Sequence, residues 1–98
     1  MDNKYPVEWT RRSLQNALAI KHYLTVKFTN KEVDRFERLL KKFEKTVSNF
    51  PSLYPESEHQ KFLRRAVIHK NTTVFYIFKN DHVIIIAMKD NRQQRASS

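Results

Sequence analysis

The sequence predicts an α+β fold in which a helical hairpin packs on one face of a mainly antiparallel sheet, in the element order β-α-α-β-β-β. Two stretches with helical periodicity follow a short alternating segment, and from residue 64 the apolar period becomes that of strands. The chain has 98 residues, of which 40% are hydrophobic, enough for one compact core. We therefore expect a single domain over residues 1–92 and a flexible C-terminal tail over residues 93–98, where QQRASS lacks apolar anchors.

The first two elements are a short strand and a helix. Tyr5, Val7 and Trp9 alternate with other residues, as side chains on one face of a strand do. Pro6 has no amide donor, so this strand should lie at a sheet edge. Thr10 can cap the helix that follows, and apolar residues recur at helical spacing to about residue 28.

The second helix has the clearest pattern in the chain. Thr29-Asn30-Lys31-Glu32 fits a capping box, in which the Thr29 hydroxyl and the Glu32 carboxylate each accept a hydrogen bond from the other residue's backbone amide. Apolar residues then recur in steps of three and four, and Pro51 ends the helix. Two adjacent amphipathic helices joined at Thr29-Asn30 form a hairpin.

Three strands follow a connecting loop over residues 51–63. Arg64–Lys70 and Val74–Phe78 are predicted strands separated by a turn at Asn71-Thr72. Asn80-Asp81 suits a tight hairpin turn, because both residues tolerate positive φ.

The last strand, Val83–Met88, is continuously apolar, which is typical of a central strand covered on both faces. It is also the longest apolar run, and it is too short to span a bilayer. Met1 to Arg12 is largely polar and contains no secretory apolar region. We expect a cytoplasmic protein that does not bind membranes.

Composition excludes several classes of function. Nineteen Lys and Arg against ten Asp and Glu give a net charge of +9, with a basic excess in both halves of the chain. Such a positive body favours phosphate backbones, anionic membranes or an acidic protein partner. The absence of cysteine excludes disulfides and thiolate catalysis, and the absence of glycine excludes phosphate-cradling loops and the Gly-x-Ser-x-Gly nucleophile turn.

The four histidines are scattered, and no two have the i, i+4 spacing of helical metal ligands: His22, His59, His69 and His82. We expect no metal and no cofactor. Tyr76 lies among apolar residues, so we expect it in the core rather than in catalysis.

Several short segments, taken in order, resemble the RelE/ParE superfamily of toxins. They are Leu53-Tyr54-Pro55 before the sheet, Leu63-Arg64-Arg65 opening it, Val74-Phe75-Tyr76 in the next strand and Asp90-Asn91-Arg92-Gln93 at its end. With Trp9 and the helix pair, the resemblance covers roughly residues 5–93.

This resemblance implies a bacterial toxin of a type II toxin–antitoxin system, which inhibits growth until a cognate acidic antitoxin binds it in an oligomer. RelE-like members cut messenger RNA on the ribosome, whereas ParE-like members inhibit DNA gyrase and are not known as enzymes. The antitoxin is expected to lay an amphipathic, acidic segment across the seam between helices and sheet, as a helix or as an added strand. The antitoxin-binding residues are not assigned.

Ribonuclease chemistry needs a base, an acid and cations around the strained phosphate. Arg64 and Arg92 match basic positions of the superfamily, but Ala66 and Thr73 stand where RelE-like members carry basic residues. No tyrosine or histidine follows Arg92. We therefore favour a ParE-like inhibitor that is not an enzyme. The alternative is an mRNA endonuclease that uses Arg64, His69 and Arg92, and the third possibility is a plain nucleic-acid-binding module.

Four basic residues are the candidates for target binding: Arg64, Arg65, Lys70 and Arg92. Side chains alternate along a strand, so Arg64 and Arg65 should face opposite sides of the sheet. At most one of them can therefore share a groove with Arg92. The competing interpretation is an edge arginine and a solvated tail arginine without a functional role.

Overall fold

The computed structural model describes residues 4–96, with side chains described as far as residue 93. Within this range the order of elements is β1 (Val7–Trp9), α1 (Arg11–Lys27), α2 (Asn30–Asn49), β2 (Arg64–His69), β3 (Thr72–Lys79), β4 (His82–Asp90) and α3 (Asn91–Ala96). The predicted α+β fold is confirmed. The structure adds α3, which the sequence did not predict and which includes residues 93–96 of the segment expected to be a flexible tail. Ser97 and Ser98 lie outside the described residues.

The four strands form one sheet in the order β1-β4-β3-β2. β2, β3 and β4 are consecutive antiparallel neighbours. β1 lies at the edge, as Pro6 predicted, and it pairs in parallel with β4 through the register Val7↔Val83. Pro6 still contributes its carbonyl, which accepts a hydrogen bond from the Val83 amide at 2.9 Å. β4 is therefore an interior strand.

The β3–β4 hairpin turns at the predicted pair. Asn80 has φ 53° and Asp81 has φ 61°, the left-handed pair of angles that a two-residue hairpin turn needs. Asparagine and aspartate reach this region at low cost because their short polar side chains bond locally. The turn thus forms without glycine.

α1 covers the part of β4 that β1 is too short to reach. The Thr10 hydroxyl donates to the Ile86 carbonyl at 3.0 Å, and the Asn16 side-chain oxygen accepts from the Met88 amide at 3.1 Å. These two side chains satisfy backbone groups of β4 that would otherwise lack a strand partner. Thr10 also caps α1 as predicted, since its hydroxyl accepts a hydrogen bond from the Ser13 amide at 3.1 Å.

The capping box predicted for α2 is wrong in its side-chain contacts. Thr29 is the residue that caps α2, but its side chain makes no cap hydrogen bond. The Glu32 carboxylate binds Arg92 and Arg35 rather than the Thr29 amide. A guanidinium is the stronger partner because the bond joins two charged groups.

The core lies between the helical hairpin and one face of the sheet. Its buried residues come from α1, α2 and the three antiparallel strands: Ala17, Ile20, Leu24, Phe36, Leu40, Phe43, Val47, Ala66, Val74, Tyr76, Val83, Ile85 and Met88. Tyr76 is fully buried, as expected, and its hydroxyl donates to the Pro51 carbonyl at 2.7 Å. Burial raises the pKa of Tyr76 above its ordinary value of 10.0.

Val83–Met88 is an interior strand, as expected, but only its face toward the helices is fully buried. Val83, Ile85 and Met88 are buried under the helices, whereas Ile84 and Ile86 are half-buried. We call the side of the sheet opposite the helical hairpin the outer face. Cross-strand pairing places Phe75 opposite Ala87 and Ile77 opposite Ile84 on this face, and all four are half-buried.

No helix among residues 4–96 is long and apolar enough to cross a membrane.

Candidate functional site

Arg92 lies at the centre of an ion-pair network where β4 ends. Its Nε and Nη2 atoms donate to the two carboxylate oxygens of Asp90, both at 2.9 Å, and its Nη1 donates to Glu32 Oε1 at 3.1 Å. The Thr72 hydroxyl donates to Asp90 Oδ2 at 2.9 Å, and the Arg92 amide donates to Asp90 Oδ1 at 3.0 Å. Only 11% of the Arg92 side chain is exposed, and Asp90 is buried. The network joins α3 to the start of α2.

The two members of the buried pair stabilise each other's charge. Burial alone would raise the pKa of Asp90, but hydrogen bonds from Arg92 and Thr72 and the guanidinium charge hold it below its ordinary value of 3.8. The hydrogen bond to Asp90, helped by Glu32, raises the pKa of Arg92 although burial opposes this. The Phe28 ring lies 5.4 Å from the guanidinium carbon and covers it. Arg92 is thus a charged residue enclosed by the fold.

Arg64 is held by the connecting loop. Its Nη1 atom donates to the Tyr54 carbonyl at 2.6 Å and to the Ser52 carbonyl at 3.5 Å, and its Nη2 lies 3.8 Å from Glu56. The Arg64 side chain is 21% exposed. Its contacts tie the loop to the beginning of β2.

The remaining predicted site residues lie nearer to solvent. Arg65 is exposed and pairs across the ladder with Phe75 on the outer face, whereas Arg64 pairs with Tyr76 on the helix side. Arg64 and Arg65 therefore face opposite sides of the sheet, as predicted. Lys70 is exposed in the turn between β2 and β3.

His69 is half-buried, and its Nδ1 atom accepts a hydrogen bond from the Asn71 amide at 3.3 Å. This contact ties the ring to the turn between β2 and β3.

The structure does not bring Arg64 and Arg92 together. Arg64 pairs with Tyr76, whereas the Asp90 partner of Arg92 pairs with Thr72. These positions are four residues apart along β3, or about 13 Å at the usual rise of a strand. Arg64 and Arg92 therefore do not line a common groove.

Sequence reasoning missed the acidic partners of both arginines. The spacing of Asp90 and Arg92, two residues apart at a strand end, was a usable signal for a local ion pair. Glu32 carried no comparable signal, because its own neighbours fit a capping box and Arg92 is 60 positions away.

A groove of about 290 Å³ opens between α1 and α2. Its lining includes Trp9, whose indole N–H donates to Glu44 at 2.7 Å, and the exposed side chains of Leu14 and Leu18. Charged residues of both signs border it, and the ion pair between Lys21 and Glu37 is among them, at 3.2 Å. This groove lies between the two helices and extends to the edge strand β1 at Trp9.

Among residues 4–96, no group of three or more histidine, aspartate or glutamate side chains is placed to hold a metal ion.

The fold defines the class of protein. A helical hairpin on one face of a sheet, with three consecutive antiparallel strands and one parallel edge strand, is the architecture of a RelE/ParE superfamily toxin. The family model described as the ParE toxin of the type II toxin–antitoxin system parDE matches residues 7–95. The chain belongs to this ParE toxin family.

Solved structures of similar fold agree with this assignment. One is described as the chromosomal ParDE TA system from P. aeruginosa, with a TM-score of 0.75, 11% identity, and coverage of 91% of this chain and 98% of that chain. The E. coli DinJ-YafQ toxin–antitoxin complex gives a TM-score of 0.57 at 15% identity, covering 92% and 96%. The conserved hypothetical protein HP0894 from Helicobacter pylori gives 0.56 at 15% identity, covering 90% and 96%. At these identities the likeness concerns the fold. No curated protein sequence matches the chain.

Proposed function

We propose that this toxin acts by binding and inhibiting DNA gyrase, and that a cognate acidic antitoxin neutralises it in the cytoplasm. The observation that carries this proposal is the engagement of Arg64 and Arg92 inside the protein. A nuclease of this superfamily would direct such arginines at a phosphate, but here one binds the loop and the other binds Asp90 and Glu32.

Two further positions that carry basic side chains in RelE-like nucleases do not carry them here. Ala66 and Thr73, which stand at positions where RelE-like members carry basic residues, are both buried. Neither side chain can carry a positive charge toward a transition state, which is the contribution that phosphate cleavage most needs. Inhibition by binding requires no such group.

Two exposed residues are suited to contact an acidic surface on the target. Arg65 and Lys70 lie near the two ends of β2, and both side chains reach solvent. In this proposal Arg64 and Arg92 act indirectly, because they hold the loop and α3 against the sheet. The net charge of +9 would also attract an antitoxin with acidic segments.

The experiment is a supercoiling assay with purified gyrase and relaxed plasmid. The wild-type protein should reduce supercoiling in a concentration-dependent way. The double variant Arg65→Ala/Lys70→Ala should need at least about tenfold more protein, equivalent to about 1.4 kcal/mol of lost binding. The matched control Lys31→Ala/Lys45→Ala removes two exposed charges from α2 and should behave as wild type.

Primer extension on translated messages after induction tests the alternative function. New cleavage sites in those messages, with supercoiling unaffected, would replace gyrase inhibition by a ribosome-dependent endonuclease. The fold likeness to the E. coli DinJ-YafQ complex makes this the comparison to run in parallel.

A further inference from the structure

α2 carries a row of positively charged side chains on its solvent side. All members are exposed, and they follow one another in steps of four and three residues: Lys31, Arg35, Arg38, Lys42 and Lys45. With 3.6 residues per turn, they lie within an arc of about 80° around the helix. The core residues of α2, such as Phe36 and Phe43, lie on roughly the opposite side. We call this row the cationic stripe.

The acidic residues of α2 do not neutralise the cationic stripe, because most of them bind other elements of the fold. Asp34 is exposed at the edge of the stripe. Among residues 4–93, the salt bridge that reaches the stripe is the one between Arg35 and Glu32, at 3.9 Å. The other three carboxylates of α2 are held from elsewhere: Glu32 by Arg92, Glu37 by Lys21 and Glu44 by the Trp9 indole.

Neighbours within the cationic stripe repel one another. Arg35 follows Lys31 by four positions, and Lys42 follows Arg38 by four. Side chains at this spacing face each other on a helix, and like charges there destabilise it. An anionic polymer that lay along the stripe would remove this repulsion, so the row is better suited to a bound partner than to the isolated helix.

The cationic stripe has the length and spacing of a site for a phosphate backbone. Lys31 and Lys45 are fourteen positions apart, which is about 21 Å along a helix. Over the same distance along its axis, one strand of duplex DNA presents about six phosphates. Both structures are straight and stiff over this length. Each of the five cations can therefore meet its own phosphate.

We propose that the cationic stripe of α2 is a docking surface for the phosphate backbone of duplex DNA. Lysine and arginine contact phosphates and position a protein on the duplex, but such contacts do not read the sequence of bases. The surface would thus bind DNA of any sequence. The inference does not depend on gyrase as the target, because Arg65 and Lys70, proposed to contact gyrase, lie at the ends of β2 and not on α2.

Other anionic partners fit the cationic stripe less well. Single-stranded nucleic acid is bound on exposed aromatic rings, and the stripe consists of lysine and arginine. A membrane surface or an acidic helix also needs apolar contacts, but those of α2, including Leu40 and Val47, are buried in the core. A second copy of this chain would bring another +9 charge.

The test measures binding of the full-length protein to a labelled DNA duplex of about 20 base pairs by fluorescence anisotropy, at several salt concentrations. Five phosphate contacts predict that the logarithm of the association constant falls with the logarithm of salt concentration with a slope of about −4.5. Arg38→Gln/Lys42→Gln removes two contacts. It should weaken binding about tenfold or more and make the slope shallower by about 1.8.

Lys61→Gln/Lys79→Gln is the matched control. It lowers the net charge by the same amount at two exposed positions outside α2. Its slope should equal that of wild type and its affinity should change by less than about twofold, because salt screens charges that do not touch the DNA. Thermal unfolding verifies that both double variants are folded. Equal weakening by the two would show that binding reflects only the overall charge, and this would overturn the proposal.

Amide chemical-shift mapping of the wild-type protein gives a readout that needs no variant. Shifts over residues 31–45 on addition of the duplex support the proposal, and shifts confined to the sheet overturn it. Tighter binding of a duplex RNA or a single strand of the same sequence would overturn the assignment to duplex DNA. A polyglutamate peptide that occupies the stripe more tightly than DNA would replace DNA by an acidic protein.

The supercoiling assay separates this inference from the proposed function. Lys31→Ala/Lys45→Ala removes both ends of the cationic stripe, so it should bind DNA more weakly and still inhibit gyrase. A wild-type protein that binds DNA through the stripe but leaves gyrase active keeps this inference and loses the proposed function. A protein that inhibits gyrase but has no measurable affinity for duplex DNA at low salt does the reverse.

Discussion

Glu32, in the first turn of α2, accepts a hydrogen bond at 3.1 Å from the guanidinium of Arg92, which lies 60 positions later in the chain. The same guanidinium donates hydrogen bonds to both carboxylate oxygens of the buried Asp90. One arginine thus connects the start of a helix, the end of the last strand and the C-terminal helix. Because this contact is enclosed by the protein, its loss should be felt as a loss of stability first.

Removing Arg92 should therefore destabilise the fold strongly. Arg92→Ala leaves the buried Asp90 carboxylate without its guanidinium partner. Breaking a buried ion pair in this way lowers the free energy of unfolding by about 3 kcal/mol or more. Arg35 also lies near Glu32, at 3.9 Å, but it is 52% exposed. Arg35→Ala should cost less than about 0.5 kcal/mol, as solvent-exposed pairs do. Urea unfolding measures both, and similar losses for the two variants would show that Arg92 is only a surface residue.

Lowering the pH should remove the stabilisation of the folded protein that the charged Asp90 carboxylate provides, and it should do so over a defined pH range. The pKa of this carboxyl is lower in the folded protein than its ordinary value of 3.8, so the folded state favours the charged form. Its contribution is complete above that ordinary value and disappears as pH falls through the lower, folded value. Unfolding free energies of wild type and Asp90→Asn between pH 7 and pH 2 should differ most at neutral pH and converge below pH 4. A difference that stays constant over this range would contradict the linkage.

Relieving the backbone at Phe62 should stabilise the protein. Phe62→Asn keeps φ 68° with a residue that tolerates the left-handed region, and the lost ring is exposed. We expect a gain of about 1 kcal/mol, or roughly 4–8 °C in the melting temperature of a domain this size. Phe50→Asn, at φ −135°, should change stability by less than about 0.5 kcal/mol. Thermal unfolding that shows Phe62→Asn to be the less stable variant would mean that the ring packs within the protein.

Tyr76 should contribute through its hydroxyl as well as its ring. Tyr76→Phe removes the hydrogen bond to the Pro51 carbonyl and leaves that carbonyl without this donor, at a cost of about 1–2 kcal/mol. Denaturant unfolding of Tyr76→Phe against Tyr54→Phe, a half-buried tyrosine that contacts the Tyr76 ring, isolates the hydroxyl. Equal stability of Tyr76→Phe and wild type would show that the bond contributes nothing net.

The sequence predicted correctly the features that depend only on residues close together in the chain. Thr10 caps α1 and Asn80-Asp81 turns the last hairpin because each depends on backbone geometry within three or four residues. The same reasoning failed at Glu32, where a capping pattern met a competing guanidinium from a distant part of the chain. At Val83–Met88 the apolar run correctly indicated an interior strand, but it could not show that only the face toward the helices is fully buried.

The candidate site likewise has features that the sequence predicted and contacts that it could not predict. Alternation along β2 was enough to separate Arg64 from Arg65, since a strand has a period of two. No pattern in the chain could show that Arg64 is held by the Tyr54 carbonyl or that Arg92 is enclosed. Those contacts depend on how the connecting loop and α3 pack after the sheet has formed.

Sequence alone determined the order of the four strands and the first two helices, the Asn80-Asp81 turn and the positive charge of the chain, because periodicity, backbone preference and composition act over short distances or none. The turn predicted at Asn71-Thr72 lies one residue earlier, since Thr72 is the first residue of β3. Only the tertiary structure decided that β1 runs parallel to β4 and that Glu32 meets Arg92. Contacts between residues 60 or more positions apart form when packing the whole chain repays the entropy of closing long loops, and no short segment records that balance.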